Sequence, residues 1–388
     1  MADVAGGDRS GRWLVDPGFG VYVHIPFCLH RCHYCDFNTY EGQDDLYGPY
    51  IDALVTDIER WDAETRPATS VFFGGGTPTL LPPRALGRIL GAIRARIGLE
   101  PDAEITVEAN PETVDEGVFG ELLKEGFNRV SIGVQSLAPH VLRGLGRTHG
   151  PETALSAVAA ARRAGVADLS VDLIYGSPWE RPEDWVTSLE GVVAADPDHV
   201  SAYALTVETG TPLHTLIGSG RVPDVDPDVQ ADRHDVASRY LGDAGFARYE
   251  VSNWARPGRA SRHNVLYWSS GDYLGFGAGA HAHIGGRRWW NHRLPRDLIS
   301  AVTEARPRES GHEVVADRSA EALMLGLRLV SGVHEAGFVR RFGTDGLDAR
   351  SAILQELEAR GQVERTGGYL RVADSSSLLT NDVVCRLL

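Results

Sequence analysis

Short apolar runs alternate with longer amphipathic segments between about residues 20 and 205, and this alternation constrains the fold more than any other feature. Repeated strand–helix units form a parallel sheet with helices packed outside it. The predicted strands are residues 20–25, 70–74, 104–108, 129–134, 169–174 and 199–204. The predicted helices are residues 45–60, 83–97, 111–125, 152–164 and 183–194. Because six strands are too few for the closed eight-stranded barrel, the sequence predicts an α/β fold with a partly open (β/α)6 barrel in residues 20–205.

Each predicted strand is followed by, or ends in, polar residues or glycines. The first strand leads into a cysteine-rich loop, the second into GGGTPT, the third into EANP and the fourth into GVQS. The fifth strand contains Asp172 and the sixth carries Ser201 and Tyr203. In barrels of this kind the chemistry gathers at the carboxyl ends of the strands, so we expect a functional site there.

Three of the four cysteines, Cys28, Cys32 and Cys35, form a C-x3-C-x2-C pattern in that loop. Iron–sulfur clusters usually take one cysteine per iron. Three thiolates on a four-iron cluster would leave one iron open to nitrogen and oxygen donors of a small molecule. The fourth cysteine, Cys385, would complete the set only if the C-terminal tail folded back onto the loop.

A structural zinc site is the alternative for the cysteine loop, since histidine often completes a zinc tetrahedron. The nearby candidates are His24, His30 and His33. The absence of a second cysteine pair favours the cluster. A disulfide framework is not expected in a 388-residue chain with four cysteines.

Composition restricts the partners. The net charge of −15 disfavours nucleic acid, because affinity for phosphates comes mostly from lysine and arginine. No apolar run reaches the roughly 18–20 residues that a membrane span requires. Residues 1–19 lack a signal-peptide pattern and are predicted to be a flexible arm. Clustered thiols without a secretion signal predict a reducing, cytoplasmic location.

The remainder of the chain is predicted to contain two further parts. Residues 206–310 are expected to complete the barrel as a helical region, with a helix at 228–242. Residues 311–388 are expected to form a C-terminal unit with helices at 320–330 and 347–360. The run GQVERTGGYLRV then predicts a hairpin with a Thr-Gly-Gly turn, which suggests a winged-helix-like module.

The residues after strands two to five suggest what could bind. GGGTPT is either a tight turn or a backbone cradle for a carboxylate or phosphate, and it lacks the lysine of a phosphate loop. Glu108, Gln135, Arg147 and Asp172 could bind an ammonium, a carboxylate and vicinal hydroxyls. S-adenosylmethionine contains all three kinds of group.

The combination of CLHRCHYC, GGGTPT, VEANP, GVQS and DLIYG resembles the radical S-adenosylmethionine superfamily, and within it the oxygen-independent coproporphyrinogen III oxidase group. The resemblance implies that Cys28, Cys32 and Cys35 ligate a [4Fe–4S] cluster. It further implies contacts to S-adenosylmethionine from Tyr22, Tyr34, Gly75, Gly76, Thr77, Glu108, Gln135, Arg147, Asp172 and Ala204. No residue is assigned a catalytic role.

Two departures separate the chain from the oxidases of that group. Phe37 occupies the position where the oxidases carry a further cysteine, and only some 20 residues precede the cysteine loop. In addition, RHNVLYW resembles the H-N-x-x-Y-W signature of the haem-chaperone subgroup, which implies haem binding by His263, Asn264, Tyr267 and Trp268. The subgroup implies transfer of haem to an acceptor such as a respiratory enzyme, without coproporphyrinogen dehydrogenase activity. The alternatives are the oxidase itself and a radical enzyme for another tetrapyrrole or RNA.

Histidine and tyrosine both serve as axial ligands of haem iron, and aromatic faces pack against porphyrins. His263 and Tyr267 would share one face of a helix, but the motif could equally be an aromatic core in which His263 is hydrogen-bonded. Rival ligands are His281, His283 and His292, and Arg287 or Arg288 could pair with propionates. A homodimer and peripheral membrane association through the acceptor both stay open.

Overall fold

The computed structural model describes residues 16–387 and contains the predicted barrel. Its six barrel strands are β1 (Phe19–Ile25), β2 (Ala68–Gly75), β3 (Leu99–Ala109), β4 (Arg129–Gln135), β5 (Leu169–Tyr175) and β6 (His199–Ala204). They pair in sequence order and in parallel. The α/β fold is therefore confirmed. Residues 1–15 of the predicted arm lie outside the described residues.

Helices follow the strands as predicted and cover the outside of the sheet. They are α1 (Tyr47–Glu59), α2 (Pro83–Arg96), α3 (Glu116–Glu125), α4 (Pro139–Leu145), α5 (Pro151–Ala164) and α6 (Pro182–Ala194). The helix predicted from residue 111 begins only at Glu116, because the Asp115 side chain caps it by accepting a hydrogen bond from Val118 N. The short helix α4 was not predicted.

Residues 206–310 were predicted to be helical, and this prediction was incomplete. They contain α7 (Pro212–Gly218), α8 (Pro227–Asp243), α9 (Arg262–Trp268) and α10 (Pro295–Thr303). They also contribute, with the residues just after them, the strands β7 (Ala247–Arg248), β8 (Asn253–Ala255), β9 (Asp272–Phe276), β10 (His281–Ile284), β11 (Arg287–Asn291) and β12 (Glu309–Val314). These strands are two to six residues long, too short for a clear alternating pattern.

The additional strands extend the sheet at both sides instead of closing it. β9 pairs in parallel with β1, and β8 pairs antiparallel with β6. Within residues 16–387 the sheet ends at β12 on one side and at β7 on the other. The barrel is therefore open, as expected from six central strands.

A second hydrophobic core lies in the C-terminal part of the chain. It is built by α11 (Arg318–Gly326), β13 (Val333–His334), α12 (Glu335–Phe342), α13 (Asp345–Asp348), α14 (Ser351–Ala359), β14 (Val363–Thr366), β15 (Tyr369–Val372) and α15 (Thr380–Leu387). The order of helices and strands is that of a winged helix, with a three-stranded sheet β13-β15-β14. The predicted hairpin is confirmed, and its turn residues Gly367 and Gly368 both have positive φ.

The helix predicted at 347–360 is broken in two. Between the halves, the buried Arg350 guanidinium donates to Leu387 O, Gly346 O and the Asp317 carboxylate. Cys385 lies exposed on α15, which packs against α11 and α14. None of the helices in residues 16–387 has the length and apolar character needed to cross a bilayer.

Candidate functional site

The cysteine loop follows β1 and is held by backbone hydrogen bonds. Cys28 N donates to Tyr40 O at 3.0 Å, and His33 N donates to Leu145 O at 3.0 Å. The three thiols are free and half-buried, and they lie close enough to influence one another electrostatically. Burial raises the pKa of Cys28 to about 11 and also raises the pKa of Cys35. Thiolates at these positions therefore need a positive partner such as a metal.

The histidines of the zinc alternative are engaged elsewhere. His24 Nδ1 lies 2.8 Å from the Tyr22 hydroxyl, and His24 Nε2 lies 3.0 Å from Asn38 O. His33 Nδ1 lies 3.0 Å from Gly144 O, and His30 lies beside Glu41. In the described part of the chain, no three histidine, cysteine or carboxylate side chains gather around a single ion position.

A chain of polar side chains joins two of the sulfurs across the carboxyl ends of β2, β3 and β4. Thr77 Oγ1 donates to Cys28 Sγ at 3.9 Å, and Asn110 Nδ2 donates to Thr77 Oγ1 at 3.0 Å. Arg147 Nη2 donates to Asn110 Oδ1 at 2.8 Å, while its Nη1 donates to Cys32 Sγ at 3.5 Å. Asn110 was not among the predicted site residues, although its place directly after β3 in VEANP was a usable signal.

The glycine turn after β2 packs directly against the cysteine loop. Gly75 has φ of +112°, and a Cβ there would lie 2.4 Å from the His24 ring. A Cβ on Gly76 would lie 2.5 Å from Phe27 O. The amides of residues 75–77 donate to the Glu108 carboxylate, to Ile25 O and to Phe27 O. Close backbone approach thus explains the glycines, and these amides are not free to cradle an anion.

Two half-buried carboxyls, those of Glu108 and Asp172, lie in the interior of the barrel. Burial, together with the nearby charge of Asp172, raises the pKa of Glu108 to about 8, against the opposing effect of the hydrogen bond from Gly75 N. Burial also raises the pKa of Asp172, whose oxygens accept hydrogen bonds from Ser131 Oγ at 3.0 and 3.1 Å. Such a pair favours a ligand that brings a positive charge and hydroxyl groups.

The other predicted residues also lie around the barrel interior. Gln135 has φ of +64° at an irregularity in the pairing of β4 with β5. Ala204, half-buried, ends β6 opposite Tyr175. The half-buried Tyr34 hydroxyl lies within electrostatic range of Arg147 and Cys32.

The H-N-x-x-Y-W motif lies at the opposite, amino-terminal end of the strands. It forms α9, whose first amides, Arg262 N and His263 N, donate to the Glu104 carboxylate at 2.9 and 3.1 Å. His263 Nδ1 lies 2.9 Å from Ser70 Oγ. Glu104 is in register with Ser70, which lies near the start of β2, so α9 covers the amino-terminal end of the barrel and forms its floor.

His263 is buried in this floor with both ring nitrogens in use. Its Nε2 lies 2.8 Å from the Tyr267 hydroxyl, and its ring stacks on Phe72 at 5.3 Å. Burial lowers the pKa of His263 to about 3, so the ring is neutral at pH 7. The structure therefore matches the alternative of a hydrogen-bonded core histidine, and it gives the predicted haem contact no free nitrogen on this residue.

Asn264 and Trp268 point to other neighbours. Asn264 hydrogen-bonds Tyr249, whose hydroxyl lies 2.9 Å from His199 Nε2. The Trp268 ring lies 5.7 Å from the guanidinium carbon of Arg328, at the border with the C-terminal module. The shared helix face predicted for His263 and Tyr267 is confirmed by their hydrogen bond.

Beyond Tyr267, a cavity of about 220 Å3 lies between α9, strands β9 to β11 and α11. Its lining residues are Tyr267, Ser270, Gly271, Tyr273, His283, Arg288, Glu321 and Leu325. His283 Nε2 is buried and has no hydrogen-bond partner within residues 16–387. Arg288 pairs with Glu313 and Glu321, and Arg287 pairs with Glu309.

Comparison with known proteins agrees with this architecture. Residues 22–191 match the Radical SAM superfamily, and residues 315–379 match the HemN C-terminal domain. Coproporphyrinogen III oxidase (HemN) from Escherichia coli has the same fold, with a TM-score of 0.82 at 23% identity over 98% of this chain and 93% of that one. The barrel, the three-cysteine loop and the C-terminal module together define a radical SAM architecture of the HemN type.

Proteins named Heme chaperone HemW are similar over nearly the full length. The Mycobacterium tuberculosis protein is 40% identical over 377 residues, which cover 95% of each chain. The Escherichia coli protein is 35% identical and the Bacillus subtilis protein 33%, over 95% and 93% of this chain and 97% of each relative. The chain belongs to the HemW family within the radical SAM superfamily.

This family implies a [4Fe–4S] cluster and S-adenosylmethionine. The residues present fit the cluster: three free thiols share one half-buried loop, and Thr77 and Arg147 donate hydrogen bonds to two of the sulfurs. Donors of this kind stabilise thiolate charge. The carboxyls of Glu108 and Asp172 lie in the barrel interior, where burial raises the pKa of both.

Proposed function

We propose that this chain is a haem chaperone, which binds haem as cargo and passes it to an acceptor haem protein. The observation that carries the proposal is the 40% identity, over 95% of both chains, to a protein named Heme chaperone HemW. The loop residue Phe37 adds support: it is 63% exposed where an oxidase would carry a further cysteine.

At the carboxyl end of the barrel, Cys28, Cys32 and Cys35 hold the cluster in this proposal. When bound, the cluster supplies one iron that accepts the amino and carboxylate groups of S-adenosylmethionine. Thr77 and Arg147 stabilise the sulfur charge through the hydrogen bonds that they already donate. Asn110 acts as a positioning residue, because it holds the side chains of Thr77 and Arg147 together.

The same proposal assigns S-adenosylmethionine to the barrel interior. Glu108 would accept a hydrogen bond from the amino group and Arg147 would pair with the carboxylate. The remaining assignments are Gln135 and Asp172 at the ribose hydroxyls, Ala204 beside the adenine, Gly75 and Gly76 behind the methionyl part, and Tyr22 and Tyr34 on either side. Asp172 is a suitable hydroxyl acceptor because it is half-buried, lies near Glu108 and forms no ion pair with any described residue.

For haem, the H-N-x-x-Y-W residues take different roles. Tyr267 lines the cavity beside the C-terminal module and is the contact residue, with Trp268 at its border. His263 holds the Tyr267 hydroxyl at 2.8 Å and acts as its positioning residue. Asn264 anchors α9 through Tyr249. The proposal further includes an acceptor haem protein, a homodimer of this chain, and association with a membrane through the acceptor. It also includes a cytoplasmic location, which suits the free thiols.

The runner-up is oxygen-independent coproporphyrinogen III oxidase, which shares the fold. The test uses the full chain with its cluster reconstituted anaerobically, and it measures iron, sulfide and zinc before haem is added. We expect about four irons and four sulfides per chain, as in a [4Fe–4S] cluster. We also expect a stoichiometric Soret band that survives desalting and moves to an added apo haem protein. Multiple turnovers of coproporphyrinogen III to protoporphyrinogen, or zinc alone in the loop, would contradict the proposal.

A further inference from the structure

The cavity between the barrel floor and the C-terminal module contains an imidazole nitrogen that no described protein atom uses. His283 is 6% exposed, and its ring hydrogen-bonds the backbone of Gly271. Its other nitrogen, Nε2, is buried, has no partner in residues 16–387, and belongs to a side chain that lines the cavity. A histidine fixed through one nitrogen, with the other free, is the arrangement that metal-binding histidines adopt.

Neighbouring histidines do not offer this arrangement. Both nitrogens of His263 are occupied, by Ser70 and Tyr267. His281 lies two residues from His283 and on the same face of β10, but its side chain is exposed and lies against Trp290 at 5.6 Å. Among these histidines of the floor and the β10 strand, His283 is the one with a buried free nitrogen.

The cavity walls suit a large flat ligand with acidic edges. Tyr267 and Tyr273 meet edge to face at 4.7 Å, and Leu325 from α11 adds an apolar surface. Arg288 lies at the cavity edge and already holds two carboxylates, those of Glu313 and Glu321. A propionate could replace Glu321 on this guanidinium, because it would offer Nη2 the same kind of carboxylate acceptor.

We propose that His283 Nε2 binds the iron of haem in this cavity, and that Arg288 exchanges Glu321 for a haem propionate. The proposal rests on the proposed function, that the chain binds haem. The cavity volume of about 220 Å3 is below the roughly 300–1,000 Å3 of ligand pockets, so haem must displace α11. When the propionate replaces Glu321 at Arg288, the ion pair between Arg288 of the barrel sheet and Glu321 of α11 is lost as haem binds.

The test titrates ferric haem into the full-length protein with its cluster, comparing His283→Ala with His281→Ala. We expect His283→Ala to weaken haem binding at least about tenfold, a loss that even outer partners of metal ligands can cause. We also expect it to lose the histidine-ligated absorption and electron paramagnetic resonance signals, with recovery on addition of imidazole. His281→Ala should behave as the unmodified chain. Glu321→Gln should bind haem more tightly, because the competing carboxylate is gone.

The outcomes separate this proposal from the proposed function. If the unmodified chain does not bind haem, both fail. If the unmodified chain binds haem and His283→Ala shows the same affinity and spectra, the His283 proposal fails while the haem chaperone stands. If His283→Ala does not fold, Leu325→Trp, which fills the cavity from α11, decides the matter. Unchanged haem binding by a folded Leu325→Trp variant would overturn the cavity as the site.

Discussion

The two ends of the barrel use polar residues in opposite ways. At the carboxyl end, the carboxyls of Glu108 and Asp172 form no ion pair within residues 16–387, and burial raises the pKa of both, so a ligand could supply the missing positive charge. At the amino end, His263 is satisfied by protein partners on both ring nitrogens. The ends are separated by about 16 Å, the length of β1 from Gly20 to Ile25 at about 3.3 Å per residue.

The pKa shifts express the same contrast. Burial raises the pKa of Glu108 to about 8 beside a second carboxyl, and burial lowers the pKa of His263 to about 3 inside a hydrogen-bonded floor. The raised pKa of Glu108 means that a positively charged ligand would stabilise its ionised form. The lowered pKa of His263 means that its ring is neutral, and both ring nitrogens already have hydrogen-bond partners. The sequence signatures at the two ends therefore differ: the residues at the carboxyl end are the proposed ligand site, and those at the amino end hold Tyr267 beside a cavity.

The largest expected effect is loss of the metal centre at the carboxyl end. Cys32→Ser removes one of three thiolates, and we expect the iron content after anaerobic reconstitution to fall to nearly zero, with the fold retained in circular dichroism. Cys385→Ser is the matched control, because Cys385 is exposed on α15 of the C-terminal module. Equal iron loss in both variants, or full iron in Cys32→Ser, would contradict the assignment.

The second prediction concerns Glu108 and pH. Its pKa in the folded chain is about 8, above the ordinary value of 4.5, so the folded state holds this proton more tightly. The free energy of unfolding should fall by about 4 kcal/mol as pH rises from about 4.5 to 8. This is slightly less than the full shift at about 1.4 kcal/mol per pKa unit, because the group is only half-titrated in one of the two states at each end of this range. Glu108→Gln should remove this fall when denaturant unfolding is measured across that range. The exposed Glu121→Gln should follow the unmodified chain, and a Glu108→Gln profile parallel to it would refute the prediction.

The third prediction tests the floor. His263→Ala leaves the hydroxyls of Ser70 and Tyr267 without their partner and creates space beneath Phe72. We expect a loss of about 2–4 kcal/mol in the free energy of unfolding. Iron and sulfide content should be unchanged, because the cysteine loop lies at the other end. The exposed His281→Ala should shift stability by less than about 0.5 kcal/mol. Loss of iron in His263→Ala would show that the two ends are not separate sites.

The sequence predicted the barrel strands and the residues at their carboxyl ends, but it did not predict the short additional strands or the role of Asn110. The six barrel strands follow from buried apolar runs such as that of β4, and their carboxyl ends gather the predicted site residues. β7 and β8 are too short to produce a pattern. The place of Asn110 after β3 was visible in the sequence, but its hydrogen bonds to Thr77 and Arg147 depend on three strand ends meeting in space.

The floor illustrates a second limit. Four-residue spacing correctly placed His263 and Tyr267 on one face of a helix. Spacing does not reveal what that face contacts, and His263 contacts Ser70 and Phe72 of the barrel. Selection of His283 over His281 likewise depends on burial, because both side chains lie on one face of β10 and that of His283 is the covered one.

A continuous series of contacts joins the two ends through the barrel interior. The ring of Phe72 lies 5.3 Å from that of His263 and 6.3 Å from that of Tyr22. The Tyr22 hydroxyl contacts His24, which in turn contacts Asn38 O in the cysteine loop. Packed chains of this kind can carry coupling between sites, but only measured coupling establishes it.

The smallest effect we predict is therefore a coupling between the ends that depends on Phe72. Saturating S-adenosylmethionine should change the haem dissociation constant about fivefold, which corresponds to about 1 kcal/mol. Phe72→Leu should reduce this factor to about twofold or less, because its smaller side chain breaks the stack between Tyr22 and His263. Phe119→Leu, a buried change on α3 outside the stack, should leave the factor unchanged. A factor that is the same in all three proteins would mean that the two ends share a barrel without communicating through Phe72.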